Sequence, residues 1–427
     1  MPAPSSRYAG LTRGQLAALV PELLLIGQLI DRSGMAWCIQ QFGREEMVQI
    51  AIEEWAGASP IYTKRMQRAL SFEGDDVITI FKGLQLDIGA PPQFMDFRYT
   101  VHDRWHGEFH LAHCGALLDV EPLGDDYVRG MCHDIEDPTF DATAVATNAR
   151  AQVRPIHRPP RVPAGRQPHC AWTVIIDESH PPVRGIPALD IVRNSRAATV
   201  TLDPIDTTGD GLADYTGPLL SDVDFGAYSH SALVRIADEV CLQMHLLYLS
   251  FAIAVRARAD AGVAESVCTK QLVGLAGLAA ERIHRALALP GGAEGALHVL
   301  TLHPLLNPAA YVTAGVSAGA LSVARSPAHE DGAWISLCGP GAERPLQAVA
   351  AAVDPRLRIE VTGTDSDWSA RIVETDTVAK EFPEVSVAKV SGGASFVFEP
   401  RRSLPLTVRD AGHPGGRATA TPTQRRR

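Results

Sequence analysis

Leu16-Ala-Ala-Leu19-Val-Pro-Glu22-Leu23-Leu-Leu25-Ile26-Gly-Gln-Leu29-Ile30 sets apolar residues three and four apart, the spacing of one helical face. Slid along by 217 positions, this stretch meets another of the same kind: Leu16 falls on Leu233, Glu22 on Glu239, Leu25 on Leu242 and Leu29 on Leu246. The match runs without a gap over residues 11–70 and 228–287. Gly57 falls on Gly274, and both stretches close on Arg-x-x-Arg-Ala-Leu, from Arg65 and from Arg282. Further along, Gly74 falls on Gly291 and Asp137-Pro138 on Asp354-Pro355. Self-similarity at one fixed offset marks a repeated architecture. It predicts two diverged copies of one domain, packed about a pseudo-two-fold axis.

Each copy reads as helices followed by an antiparallel sheet, an α+β fold. After the first helix, the spacing predicts helices over residues 44–55 and 59–70, the latter with Ser59 as N-cap and Pro60 at its first position. Residues 75–84 read as one more short helix after the Gly74 break. Beyond Pro91-Pro92 the period becomes two, with Phe97, Tyr99 and Val101 alternating with polar neighbours, which predicts a strand. Residues 116–120, 171–176 and 197–202 read as further strands, and 154–168, with five prolines, as an extended loop. The expected organisation is a first copy at 10–185, a linker at 186–225, a degenerate second copy at 226–400 and a disordered tail at 401–427.

The 427 residues allow one to three domains, and 46% hydrophobic residues suffice for a substantial core. A net charge of −10 argues against nucleic acid as a partner, which calls for a basic face. Residues 1–10 lack the pattern of a secretory signal, and the longest apolar run, 241–255, is too short to span a bilayer. No membrane partner is therefore expected. Seven cysteines in so long a chain form no dense disulfide framework, so the default is a reduced, cytoplasmic compartment. That leaves a small molecule as the expected partner; the oligomeric state stays open.

The densest group of potential ligands is His102-Asp-Arg-Trp-His106-Gly-Glu108-Phe-His110-Leu-Ala-His113-Cys114. On a strand, residues two apart share a face, so His106, Glu108 and His110 project together while Phe109 and Leu111 project oppositely. Two imidazoles and a carboxylate are ligand types for zinc or non-haem iron. Met131-Cys132-His133-Asp134 adds a thiol, an imidazole and a carboxylate, and His169-Cys170 adds more. At the 217-residue offset His106 falls on Val323, Glu108 on Arg325, His110 on Pro327, Cys132 on Val349 and His133 on Ala350, so the second copy lacks the cluster. The competing reading is a polar sheet face whose histidines bond one another and water.

Other signals are weaker. The stretch from Asp206 to Asp214 resembles a calcium loop, but Gly217 stands where the closing glutamate belongs, which favours a solvated linker. Cys38, Cys241, Cys268 and Cys338 lie among apolar residues and read as inert core thiols. The two Arg-x-x-Arg pairs read as solvated helix faces.

Ile30-Asp31, Trp37, Gly43, a helix reaching Trp55, then Cys114-Gly115, Cys132, Asp137-Pro138 and Cys170-Ala-Trp172 give the first copy a family look. Over residues 15–176 it resembles the L-2-amino-thiazoline-4-carboxylic acid hydrolase-like proteins. The resemblance implies a bacterial-type α+β protein with a pocket bearing Cys114, Cys132 and Cys170, and hydrolysis of a ring holding sulfur and nitrogen. His113-Cys114-Gly115 departs from the family's Cys-Pro.

The expected function is therefore a metal-assisted hydrolase of a small amide-like or heterocyclic substrate. His106, His110, His133 and Cys114 would hold Zn2+, which lowers the pKa of a bound water. Glu108 would be general base or fourth ligand, Cys132 ligand or nucleophile, and Asp134 would complete the catalytic set. The alternatives are Fe2+ and oxygenation, or a ligand- or metal-sensing scaffold without turnover.

Overall fold

The structure is a computed structural model and describes residues 6–389; the tail expected at 401–427 lies outside the described residues. The chain opens with α1 (Arg13–Phe42), α2 (Arg44–Ala56), α3 (Ser59–Ala69) and α4 (Val77–Leu84). The first sheet follows, with β1 (Met95–Val101) and β2 (His106–Cys114), then α5 (Gly115–Val120), α6 (Asp125–Arg129), a π-helical turn (Gly130–Ile135) and α7 (Glu136–Val145), then β3 (Ala151–His157) and β4 (Cys170–Ile176). Two short helices, α8 (Pro187–Arg193) and α9 (Arg196–Thr199), lead to α10 (His230–Arg256), α11 (Ala261–Ala286) and α12 (Gly292–Leu302). The second sheet is built from β5 (Ala314–Ser317), β6 (Ala320–Val323), β7 (Leu357–Gly363) and β8 (Trp368–Glu374), with α13 (Pro327–Glu330) and α14 (Arg344–Val353) between its hairpins and α15 (Pro383–Lys389) after it. The fold is α+β, with two separate four-stranded antiparallel sheets.

Both sheets have the same strand order, β1-β2-β4-β3 and β5-β6-β8-β7. Each ties its third strand to the helix before it in the same way: Val153 N–H donates to Asp141 Oδ1 at 2.8 Å, and Ile359 N–H to Gln347 Oε1 at 3.0 Å. The helices keep the 217-residue offset, α1 beginning at Arg13 and α10 at His230. Where α2 and α3 are separated at Gly57-Ala58, α11 runs through as one helix. α1 packs against α10 and α11, and α10 packs against α2 and α3, so the helices of both halves share one hydrophobic core. α1 and α10 are long and apolar enough to cross a membrane by composition, beyond what the run 241–255 suggested. α10 is nonetheless buried along nearly its whole length inside this core.

Several local expectations change. Residues 116–120 form helix rather than strand, because Gly115 N–H donates to Phe94 O at 2.7 Å and the Cys114 sulfur accepts from Leu117 N–H, turning the chain. The apolar run was short enough to suit either state. Residues 196–199 are likewise helical: Ser195 caps them, and Asp331 accepts the N–H groups of Arg196 and Ala197 at 2.9 Å each. Ser59 is no cap; it is fully buried as the first residue of α3. Proline-rich 154–168 is strand up to His157, Pro155 being tolerated because β3 is an edge strand. The segment expected as a linker buries Leu189, Val192, Tyr215 and Phe225. Asp206 and Asp214 accept from Thr208 and Thr216 in turns of their own, so neither aims a carboxylate at a shared centre. Asp137-Pro138 lies in the first turn of α7 whereas Asp354-Pro355 follows α14, so the two dipeptides are not equivalent.

Candidate functional site

On β2 the alternation holds: Gly107, Phe109 and Leu111 are buried, while His106, Glu108 and His110 face outward and are part-exposed. The sheet's two faces therefore carry different chemistry. The outer face holds the histidines. The inner face closes a cleft against α1, α2, α3 and α7.

This cleft is a cavity of about 80 Å3, room for several waters or a ligand of that size, too small for a nucleotide. Trp55, Tyr62, Phe97 and Phe140 form aromatic walls, and Gln28, Asp31, Asp87 and Glu136 supply its polar groups. The floor is set by Asp87, which accepts from Tyr62 Oη at 3.0 Å and Gly89 N–H at 2.7 Å. Gln243 of α10 braces that turn, accepting from Ile88 N–H at 3.0 Å and donating to Leu86 O at 2.9 Å. The second half thus holds the cleft of the first.

Burial raises all three carboxyls. Asp31 rises to about 6, with Arg32 and the Trp55 indole opposing the shift; Asp87 also rises to about 6, opposed by Gly89 and Tyr62. Glu136 rises to about 8, with Arg158 opposing. Gln28 Oε1, Asp31 Oδ1 and Glu136 Oε2 are buried with no hydrogen-bond partner among the described residues. A buried polar atom without a partner costs free energy, so three on one cavity mark a site shaped for hydrogen-bonding groups from outside.

The residues singled out from sequence separate. His106 and Glu108 come together, joined by His102: the donor atoms of these three lie within 4.8 Å of one another. His110, His133 and Cys114 are not in that group. His110 is on the same strand face, but burial lowers its pKa and Asp96 and Arg98 are its charged neighbours. His133 sits on the π-helical turn and bonds Pro159 O at 2.7 Å. Cys114 and Cys132 point into the core under the sheet, and Asp134 is exposed on the turn. Burial pushes Cys114 up to about 12 and holds Cys132 and Cys170 well above the usual thiol range, with Glu136 adding to all three. They therefore keep their protons at neutral pH, which leaves them unactivated as nucleophiles.

The expected internal comparison also changes. Phe97 pairs with Leu111 as Ala314 pairs with Val323, which places Ala320 where Glu108 stands and Ser322 where His110 stands. Val323, Arg325 and Pro327 are not their counterparts, because the first hairpin is longer. The second sheet still lacks the histidines. The sequence pattern passed over Asp87 and Glu136, and it gave no role to His102, which opens the quoted ligand group, or to Asp31, whose place among the apolar residues of a core helix was the available signal.

A larger groove of about 810 Å3 runs along α3, α7 and α8, but most of its cations are already paired, Arg65 to Glu239 and Arg193 to Asp190. Comparison with protein-family models, with curated proteins and with solved structures finds no match for the chain.

Proposed function

We propose that the cleft binds a small nitrogen-containing molecule and hydrolyses it by general acid–base catalysis. The observation that supports this is the convergence on one cavity of carboxyls with separated pKa values, Asp31 at about 6 and Glu136 at about 8. At neutral pH the first is largely carboxylate and the second largely acid, the division that hydrolysis requires. Asp31 takes a proton from water, whose oxygen bonds to the electrophilic carbon. Glu136 gives its proton to the departing nitrogen as the C–N bond breaks. Gln28 and Asp87 accept hydrogen bonds from the substrate's N–H groups, and the aromatic walls cover its ring. This keeps the hydrolytic reading of a small amide-like or heterocyclic substrate and moves its chemistry to the inner face of the sheet.

The two halves are read as diverged copies of one unit. Support comes from their common strand order and the constant offset of α1 and α10.

The test is a thermal-shift and turnover panel of cyclic amides, amidines and thiazolines on the full chain. A ligand that stabilises the wild type but not Asp31→Asn, and is cleaved only by the wild type, is the expected result. Stabilisation by such ligands without cleavage of any would turn the reading to a binding module. Ligands that stabilise wild type and Asp31→Asn alike would remove the cleft altogether.

A further inference from the structure

We propose a divalent transition-metal site, of zinc type, on the outer face of the first sheet, held by His102, His106 and Glu108. It is independent of the cleft, from which the strands of the sheet separate it.

The two hairpins of the sheets show what this one adds. In the second sheet Ser317 pairs with Ala320, and two residues, Ala318 and Gly319, close the turn at positive φ. In the first, the corresponding pair is Thr100 and Glu108, and seven residues lie between. The surplus is the run from His102 to His106. It is not needed to join the strands.

That run is firmly held. His102 N–H and Asp103 N–H both donate to His106 O, at 3.0 and 3.1 Å. The Asp103 carboxylate accepts from Trp105 and His106 N–H at 2.7 and 2.9 Å. Trp105 O accepts from Ile176 N–H on one side, and Arg104 O from Val77 N–H on the other. The result sets the His102 and His106 rings 4.6 Å apart, centroid to centroid, above Glu108. His102 Nε2 lies 3.2 Å from Glu108 Oε1, close to the ~3.3 Å between two ligands of one tetrahedral zinc. Arg104, the cation next in the chain, is engaged by Asp75 at 2.7 Å.

Two imidazoles and a carboxylate give three protein ligands at a part-exposed position, leaving a fourth place for water or a ligand atom. Zinc suits this set; calcium and magnesium prefer oxygen. A rigid loop that opposes the donors lowers the ordering cost of binding.

Calorimetric titration of the untagged, metal-free full chain with Zn2+ tests this. The expected result is one equivalent bound, with affinity lost at least about tenfold in His102→Ala and in Glu108→Gln and retained in His110→Ala and His133→Ala. All three ligands are part-exposed, so circular dichroism is expected to show each variant folded. Co2+ in place of zinc should give a d–d spectrum that His106→Ala abolishes. A wild type that binds less than one equivalent, or a His102→Ala chain that binds as the wild type does, would overturn the proposal.

Discussion

Arg65 of α3 grips Glu239 of α10 through two hydrogen bonds, Nε to Oε2 at 2.9 Å and Nη2 to Oε1 at 3.1 Å. The inverse contact is also made, Arg282 of α11 to Glu22 of α1 at 2.6 Å. These are the arginines and glutamates that match at the 217-residue offset, so each half gives an arginine to the other's glutamate. The serines behave alike: Ser33 Oγ donates to Gln271 O at 2.6 Å, and Ser250 Oγ to Glu53 O at 2.7 Å. A Cβ on Gly57 would come within 2.1 Å of Ser250 Oγ, and one on Gly274 within 2.4 Å of Ser33 Oγ.

Arg65→Ala is expected to cost about 2–3 kcal/mol, read from the denaturant midpoint. Breaking a buried pair usually costs about 3–5 kcal/mol, and here Arg235, 3.0 Å from Glu239, remains to share the charge. Arg282→Ala should cost less, since Glu22 is more exposed than Glu239. An Arg65→Ala chain as stable as the wild type would show that the pair is incidental.

A fragment ending at residue 225 should fail to fold cooperatively. It would keep α1, α2 and α3 but lose α10 and α11, against which they bury their apolar faces. Each Å2 of apolar surface left exposed forfeits about 25 cal/mol. A flat near-ultraviolet circular dichroism spectrum is the expected observation; a sharp thermal transition would show that the halves fold alone.

Hydrolysis by the cleft, once a substrate is found, should follow a bell-shaped pH dependence of kcat/KM. The acid limb belongs to Asp31 near 6, and the alkaline limb to Glu136 near 8. Glu136→Gln should lower kcat by at least about a hundredfold and remove the alkaline limb. A limb that stays in place in this variant would assign the acid to another group.

Glu136 also gives stability a pH dependence. Its folded pKa, about 8, exceeds its ordinary value of 4.5, so the folded state holds the proton more tightly. The contribution is therefore full below about 4.5 and is lost as pH rises through about 8. Because the carboxyl borders a cavity that water can enter, the loss should be about 1–3 kcal/mol rather than the full value of the shift. Glu136→Gln should flatten this part of the profile in urea unfolding between pH 5 and 9. An unchanged slope would mean that the carboxyl titrates normally.

The sequence by itself determined the elements whose signals are local and long. The apolar spacing from Leu16 to Ile30 gave α1, the alternation at Phe97, Tyr99 and Val101 gave β1, and the two-residue period put His106 and Glu108 on one face of β2. The matched Arg65, Glu239, Arg282 and Glu22 were visible as well, but the two arginines, read as lying on solvated helix faces, are instead largely buried in crosswise pairs. Tertiary structure alone decided the rest. Short runs such as 116–120 suit helix or strand, and contacts with Phe94 and the Cys114 cap settled them. His102 joined His106 and Glu108 only once the hairpin register was fixed. The cleft was hidden most deeply, because a carboxyl's acidity depends on the water it loses. Asp31, Asp87 and Glu136 lose theirs to helices and strands far away in the chain.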